Sequence, residues 1–181
     1  MSKENKNRKR AIEESIFLLK EGKIEALETL YSLISKDVYA YALSKVNNKF
    51  DADDIMQDTF VRIYENAKLY EPQGNPMAWV ITVEKNIINR FFQLRNRNDS
   101  IEDENIVANE TSISERIVNN TFLNNLLKNL NEFEREVISL HVVSGLKFRE
   151  IAKLLNKPLS TILSKYNRAI KKLQNLIKED K

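Results

Sequence analysis

Glycine is scarce in this chain, and the scarcity limits what the chain can fold into. The 181 residues include three Gly, whereas Gly makes up about 7% of an average protein. Sheets, barrels and phosphate-binding loops use Gly at tight turns, because Gly tolerates backbone conformations that strain other residues. We therefore predict an all-α protein.

The residue types that carry much of enzyme chemistry are missing or isolated. The sequence has no Cys and a single His, His141, which excludes disulfides, thiolate nucleophiles, Cys-based metal sites and a His-rich metal centre. We predict a protein that is not an enzyme and that uses no metal or other cofactor. No run of about 18 apolar residues occurs, and no apolar segment follows the basic residues near the start, so we predict a cytoplasmic location.

Apolar spacing predicts helices in the first half of the chain. Spacings of three and four indicate a helix over about Ile24–Val46. Its predicted buried face consists of Ile24, Leu27, Tyr31, Ile34, Val38 and Tyr41. A second helix would be capped by Asp51. Its predicted buried stripe consists of Ile55, Met56, Phe60, Ile63, Tyr64 and Ala67.

A turn with Pro and Gly separates this pair from a third helix. Asn75 would be its N-cap and Pro76 its first residue. Trp79 and Phe91 fall on its apolar stripe, so we interpret them as core residues rather than platforms for base stacking. Residues 1–97 are predicted to form the first domain.

The second half begins after an acidic stretch. Six acidic and no basic residues lie between Asp99 and Glu115, and we predict a flexible linker over 98–115. In the second domain, 116–181, Asn131 and Glu134 form a capping-box pattern and Gly145 ends the helix that follows.

A short helix, a tight turn and a longer basic helix then end the chain, a pattern typical of a helix-turn-helix. The last 35 residues carry ten basic and three acidic side chains. Short hydroxyls and amides reach base edges while Lys and Arg neutralise phosphates, so this helix is a candidate DNA reader. Its candidate residues are Ser160, Thr161, Ser164, Lys165, Asn167 and Arg168, with Lys147 and Arg149 on the preceding helix.

Two further clusters of charge lie in the first half. The stretch Lys85–Arg97 is basic and has no acidic residue, whereas Asp51–Asp58 is acidic and has no basic one. The basic stretch could hold single-stranded nucleic acid. The acidic one repels nucleic acid, so it would be either a protein-binding surface or a solvated helix start favoured by the helix dipole.

Several motifs together resemble bacterial sigma factors. Asp53-Asp54-Ile55-Met56-Gln57-Asp58-Thr59-Phe60-Val61-Arg62, Pro76-Met77-Ala78-Trp79-Val80 and Lys85-Asn86 are similar to sigma region 2. Leu130-Asn131-Glu132-Phe133-Glu134-Arg135-Glu136-Val137, Gly145-Leu146-Lys147-Phe148-Arg149-Glu150-Ile151-Ala152 and Ser160-Thr161-Ile162 are similar to region 4. With these two regions and a short linker, the chain resembles the extracytoplasmic-function class.

The resemblance implies an alternative sigma factor that binds core RNA polymerase and directs promoter-specific initiation. Its implied partners are the clamp helices of the largest polymerase subunit, the flap region, promoter DNA and an anti-sigma factor, with no small-molecule substrate. The implied polymerase-binding residues are Asp54, Gln57, Asp58 and Phe60. The implied minus-ten residues are Asn75, Lys85, Asn86, Asn89, Arg90, Gln93, Arg95 and Arg97, and the minus-thirty-five residues are the candidates on the last two helices.

The sequence departs from the family pattern at several positions. The turn Gly of the helix-turn-helix is replaced by Asn156, which can still adopt the left-handed conformation. Two other functions stay open. One is a stand-alone helix-turn-helix repressor or activator, which would need no acidic docking helix and would dimerise on a palindrome. The other is an all-helical scaffold or enzyme, against which the lack of Cys argues.

Overall fold

The computed structural model describes residues 3–46, 48–72, 74–98 and 129–179 of the chain. Every regular element in these ranges is helical, which confirms the predicted all-α class. The elements are α1 (Lys3–Lys20), α2 (Ala26–Val46), α3 (Lys49–Asn66), a 3₁₀ turn (Ala67–Leu69), α4 (Pro76–Asn98), α5 (Glu132–Ile138), a π-helical turn (Ser139–Val143), α6 (Phe148–Leu154) and α7 (Leu159–Glu179). Almost all of the predicted linker lies outside the described residues.

Helix α1 is an element that the spacing argument did not predict. Ile12, Ile16 and Leu19 lie fully in the core on one of its faces. At its other end, the guanidinium of Arg8 is paired with the carboxylate of Asp37 and donates a hydrogen bond to the carbonyl of Leu33. Helix α1 therefore lies along α2 and covers one side of it.

The predicted buried face of α2 is partly wrong. Ile24 precedes the helix and is 53% exposed, and Tyr31 is 37% exposed. Leu30 and Ala42 are buried instead. Ile34, Val38 and Tyr41 are buried as predicted, so the predicted face is wrong only near the start of the helix.

Helix α3 also begins earlier than predicted. Its N-cap is Asn48, whose side chain accepts a hydrogen bond from the backbone N–H of Phe50, so Asp51 lies in the first turn and is not the cap. Tyr64 is 41% exposed rather than buried. The predicted start of α4 is confirmed, because Pro76 is its first residue and the Asn75 side chain accepts from the backbone N–H of Met77 at 3.3 Å.

The second half contains the predicted local signals. Asn131 and Glu134 form a reciprocal capping box at the start of α5, with bonds of 2.9 and 3.1 Å. Gly145 follows the π-helical turn with φ +65°, a left-handed conformation. Asn156, in the turn between α6 and α7, has φ +50°, which confirms the left-handed conformation predicted for it.

The two halves are packed together in this structure. Val137, Leu140, Leu146, Ile151 and Ile162 of the second half are buried in one continuous apolar cluster with residues of α1 to α4. A smaller separate cluster lies within the second half and contains Leu130, Ile138 and Ala169. Among the helices of the first half, α2 is the one that α5 and the π-helical turn contact most.

Candidate functional site

The acidic residues of α3 form an exposed stripe. Asp54, Gln57 and Asp58 are all exposed, as their spacing of three and four requires. Neither Asp54 nor Asp58 forms an ion pair within the part of the chain that the structure describes. Asp53, which the sequence placed on the same acidic helix, is buried and does not contribute to this surface.

Phe60 differs from its three companions. It is 5% exposed, and its ring packs on Tyr31 with centroids 4.8 Å apart. Phe60 is therefore a core residue that packs α3 against Tyr31 of α2. The exposed apolar side chains on the next turns are Val61 and Tyr64. Sequence reasoning missed these two as surface residues, although Val61 lies three positions after Asp58 and so belongs to the same stripe.

Helix α4 presents a polar and basic face. Asn86, Asn89, Arg90 and Gln93 are exposed at helical spacing, and Arg95 and Arg97 extend the exposed surface to the end of the helix. Arg95 lies 3.6 Å from the carboxylate of Asp51. Partial burial raises the pKa of Asp51 even though the Arg95 charge acts to lower it.

The aromatic residues around this face are packed against protein. The Trp79 ring lies edge-on to Tyr70 at 5.1 Å, and Tyr70 in turn contacts Phe17 at 5.6 Å. Phe91 and Phe92 are both half-buried, with ring centroids 5.5 Å apart. This arrangement agrees with the interpretation of Trp79 and Phe91 as core residues.

Asn75 and Lys85, at the start of the α4 face, contact the second half. Asn75 is 7% exposed, and its amide nitrogen donates to Oε2 of Glu150 at 3.0 Å. The ammonium of Lys85 donates to the carbonyl of Leu154 at 3.1 Å. Two of the eight predicted minus-ten residues are therefore hydrogen-bonded to α6, whereas the others named above face solvent.

The predicted minus-thirty-five face lies on the outside of α6 and α7. Ser160, Ser164, Asn167 and Arg168 are exposed, while Thr161 is half-buried. Lys165 is also half-buried, and its ammonium lies 5.9 Å from the centre of the Phe133 ring. Lys147 and Arg149, at the start of α6, are exposed.

His141 is half-buried and packs against aromatic side chains. Its ring stacks on Phe148 with centroids 4.0 Å apart and meets the edge of Tyr166 at 5.1 Å. Its Nδ1 lies 2.8 Å from the carbonyl of Leu146. The cluster fixes the π-helical turn against the helix-turn-helix. Across the described ranges, no three His, Asp or Glu side chains come together as a metal site, and no helix is long and apolar enough to cross a bilayer.

Models of known protein families match both halves of the chain. The model for Sigma-70 region 2 matches residues 30–98, and the model for Sigma-70 region 4 matches residues 123–173. The ECF sigma factor BldN of Streptomyces coelicolor is 28% identical over 167 residues, covering 88% of this chain and 63% of that protein. The ECF sigma factor EcfG of Rhodopseudomonas palustris is 28% identical over 143 residues, covering 78% and 79%.

Solved structures show the same fold. The sigma factor RpoE in its complex with the anti-sigma factor NepR from Bartonella quintana matches with a TM-score of 0.64 and 24% identity, covering 85% of this chain and 98% of that one. CnrH, in complex with the cytosolic domain of CnrY, matches with a TM-score of 0.61 and 20% identity, covering 94% and 99%.

With region 2 on α2 to α4 and region 4 on the helices after residue 123, the chain belongs to the sigma-70 family and is an alternative sigma factor of the extracytoplasmic-function class. Members of this family are transcription initiation factors that bind core RNA polymerase and promoter DNA.

Proposed function

We propose that the exposed stripe Asp54, Gln57 and Asp58 docks the chain on the clamp helices of the polymerase. The observation that supports this is the lack of an ion pair at either Asp within the described residues, since these charges remain available to a basic surface. Phe60 contributes by holding α3 in place through its contact with Tyr31. Complementary charge of this kind sets specificity and association rate more than affinity alone.

In this proposal α4 contacts the minus-ten element of the promoter, and α7 contacts the minus-thirty-five element. The polar stripe Asn86, Asn89, Arg90 and Gln93 would hold bases of the melted minus-ten strand, helped by Asn75, Lys85, Arg95 and Arg97. The exposed face of α7, together with Lys147, Arg149 and the flap region of the polymerase, would place the minus-thirty-five duplex. This division corresponds to domains at 1–97 and 116–181 joined by the acidic segment 98–115.

Regulation and location follow from the same proposal. RpoE is known in complex with the anti-sigma factor NepR, and CnrH in complex with the cytosolic domain of CnrY. We extend the first case to an anti-sigma factor that binds the present chain. The catalysis of RNA synthesis belongs to the polymerase, so the chain itself needs no catalytic residue and no cofactor. It acts where the polymerase acts, in the cytoplasm.

Run-off transcription with purified core polymerase on genomic fragments tests the proposal. Wild-type protein should yield discrete transcripts that core polymerase alone does not. A variant with Asp54→Ala, Gln57→Ala and Asp58→Lys should lose co-purification with core polymerase while keeping its helicity, because the core side of α3 is untouched.

The matched control changes exposed acidic residues outside α3: Glu25→Ala combined with Glu28→Lys should leave core binding unchanged. Wild-type co-purification of the α3 variant would reject the docking surface. Tight binding of a palindromic duplex by the free protein, without polymerase, would favour the repressor or activator function instead.

A further inference from the structure

One large apolar side chain of α7 lies on the outside of the helix. Leu163, in the second turn, is 37% exposed. The opposite face of the helix is the one that packs on the protein, because Ile162 and Ala169 are fully buried and Tyr166 and Ile170 contact the same apolar clusters. Packing within the described residues therefore leaves Leu163 available to a partner.

The neighbours of Leu163 on this surface belong to the proposed minus-thirty-five face. Ser160 lies three positions before Leu163 and Asn167 four positions after it, and both are exposed. Residues three and four apart are adjacent on a helix surface, so these side chains lie side by side. The first turns of the second helix of a helix-turn-helix are the part that meets base edges in the major groove. Leu163 is therefore placed where base edges are read.

The helix surface around Leu163 carries no charge. Its neighbours on the outward face are two serines and Asn167, and the lysine nearest in sequence, Lys165, is half-buried with its ammonium 5.9 Å from the centre of the Phe133 ring. The exposed Arg168 follows five positions after Leu163, which places it on the other edge of the outward face. Guanine is read in the major groove chiefly by Arg or Lys, through its O6 and N7. The surface around Leu163 lacks a basic side chain for that contact.

A leucine in the major groove has one favoured partner among the base edges. Thymine presents a C5-methyl group there, and contact with it removes apolar surface of both groups from water. Placing the leucine against guanine O6 or the cytosine amino group instead leaves that polar group without a hydrogen bond. Asn167 fits the same choice of base pair, because its amide can bond adenine N6 and N7 together. Both side chains therefore favour A·T pairs.

We propose that Leu163 is a specificity residue of the minus-thirty-five face and selects a thymine by packing on its 5-methyl group. The inference rests on the proposed function, because it requires α7 to lie in the major groove of that duplex. It goes further by naming a base that this helix recognises and the group on the base that it contacts.

Replacing thymine by deoxyuridine tests the contact, because uracil forms the same base pair but lacks the methyl group. Holoenzyme made from core polymerase and the full chain first selects promoters from a library with a randomised minus-thirty-five element. Each thymine of the selected element is then replaced in turn. At one position, uracil should lower run-off transcription by limiting wild-type holoenzyme about fourfold, the effect expected from burying one methyl group. Leu163→Ala holoenzyme should transcribe the thymine and uracil templates equally.

Three further variants serve as controls for this comparison. Leu69→Ala makes the same substitution in the 3₁₀ turn of the first half, where the leucine is 75% exposed, and should keep the fourfold preference for thymine. Arg168→Ala should weaken transcription from both templates by the same factor. Leu163→Met keeps an apolar side chain of similar volume and should keep most of the preference.

A change of specificity gives an independent measurement. Leu163→Arg places a guanidinium where it can bond guanine O6 and N7. A new selection with this variant should recover a G·C pair at the position where the wild type is sensitive to uracil, with the other positions unchanged. Recovery of the wild-type T·A pair by Leu163→Arg would contradict the contact.

The other outcomes separate this inference from the proposed function. If no uracil affects the wild type, or if Leu163→Ala is as sensitive as the wild type, Leu163 does not read the methyl group, although α7 still reads the element. Loss of core polymerase binding by Leu163→Ala at unchanged helicity would place this side chain against the polymerase and would also overturn the inference. Failure of the wild-type holoenzyme to enrich any minus-thirty-five sequence would reject the proposed function of α7, and the inference with it.

Discussion

The two halves of the molecule differ in where they bury their apolar side chains. The first half forms a core from its own helices, with Ile12 on α1, Leu30 on α2 and Ile63 on α3 all fully buried. In the second half, most of the fully buried side chains, such as Leu140 and Ile151, belong to the cluster that extends from the first half. The first half is therefore built around its own core, whereas the second half obtains much of its burial from its partner.

This difference has a consequence for how the protein works. Separation of the halves exposes apolar surface that costs about 25 cal/mol for each Å² returned to water. A partner that separated the two halves would therefore have to compensate for the lost contacts. Because the second half obtains much of its burial from these contacts, we expect its stability to respond more strongly than that of the first half to changes at the interface.

The largest expected effects come from removing core side chains in each half. Ile63→Ala and Leu140→Ala should each cost about 2 to 5 kcal/mol, since both side chains are fully buried. The two variants should differ in the helices whose hydrogen exchange becomes faster. Ile63→Ala should accelerate exchange in both halves, whereas Leu140→Ala should accelerate it in α5 to α7 and leave α3 protected. Equal acceleration of α3 by both variants would show that the halves do not differ in this way.

The next prediction separates the two DNA faces. Arg168→Ala on α7 should cost about 1 to 3 kcal/mol if it removes a base contact, or lower the salt slope by about one if it removes a phosphate contact. Asn86→Ala on α4 should spare recruitment and impair strand opening, because an unstacked base is held only after the strands part.

Permanganate footprinting on linear and pre-melted promoters distinguishes these steps. The pre-melted promoter, which contains a bubble of unpaired bases, should rescue the opening defect of Asn86→Ala, though not all loss of base capture. It should leave the recruitment defect of Arg168→Ala largely uncorrected. Identical responses of the two variants to the bubble would reject the division between a single-strand reader and a duplex reader.

One buried carboxyl group in each half allows the pH dependence of stability to be compared between the halves. Glu84 on α4 is fully buried. Burial raises its pKa well above the usual value, although a hydrogen bond with the backbone of Ala42 acts to lower it, and the charge of Asp37 adds to the increase. Glu134 on α5 is also buried, yet hydrogen bonds from Lys172 and the Asn131 backbone overcome the burial and lower its pKa.

The two shifts predict opposite behaviour of the matched variants. Because the folded pKa of Glu84 is raised, its contribution to stability falls as pH rises from about 4.5 towards that pKa, so Glu84→Gln should raise the Tm at pH 7 and have little effect near pH 4. Because the folded pKa of Glu134 is lowered, its contribution is present above the unfolded pKa and lost on acidification. Glu134→Gln should therefore lower the Tm at pH 7. Thermal unfolding from pH 4 to 8 measures both, at about 2 to 4 °C for each kcal/mol.

Local signals could be predicted from the sequence, and long-range packing could not. The caps at Asn75 and Asn131 and the left-handed turn at Asn156 each depend on a few neighbouring residues, and the structure confirms all three. On α2, the predicted core residues Ile34, Val38 and Tyr41 are buried, whereas Ile24 and Tyr31, near the start of the helix, are exposed. Helix α1 was not predicted, because its many charged residues obscure the apolar pattern of Ile12, Ile16 and Leu19.

The candidate sites show the same difference between local features, which could be predicted, and long-range contacts, which could not. Exposure of Asp54, Gln57 and Asp58 could be predicted from helical spacing alone. That Asn75 and Lys85 would be bonded to α6 could not, because Glu150 and Leu154 lie 75 and 69 positions further along the chain. Whether the predicted residues bind polymerase and DNA stays a prediction for the experiments above.

The smallest expected effects compare the two Asn caps themselves. Asn75→Ala and Asn131→Ala each remove a side-chain cap and should each cost about 1 kcal/mol. The Asn75 amide also holds Glu150, so only its loss should weaken the contact between α4 and α6. Hydrogen exchange in α6 should increase with Asn75→Ala, while Asn131→Ala should affect mainly the start of α5. Asn75→Asp sharpens the comparison, because it keeps an acceptor for the cap but places a carboxylate against Glu150. It should preserve the start of α4 and open α6 more than Asn75→Ala does. If Asn75→Asp instead leaves α6 as protected as in the wild type, the hydrogen bond to Glu150 does not help to hold the two halves together.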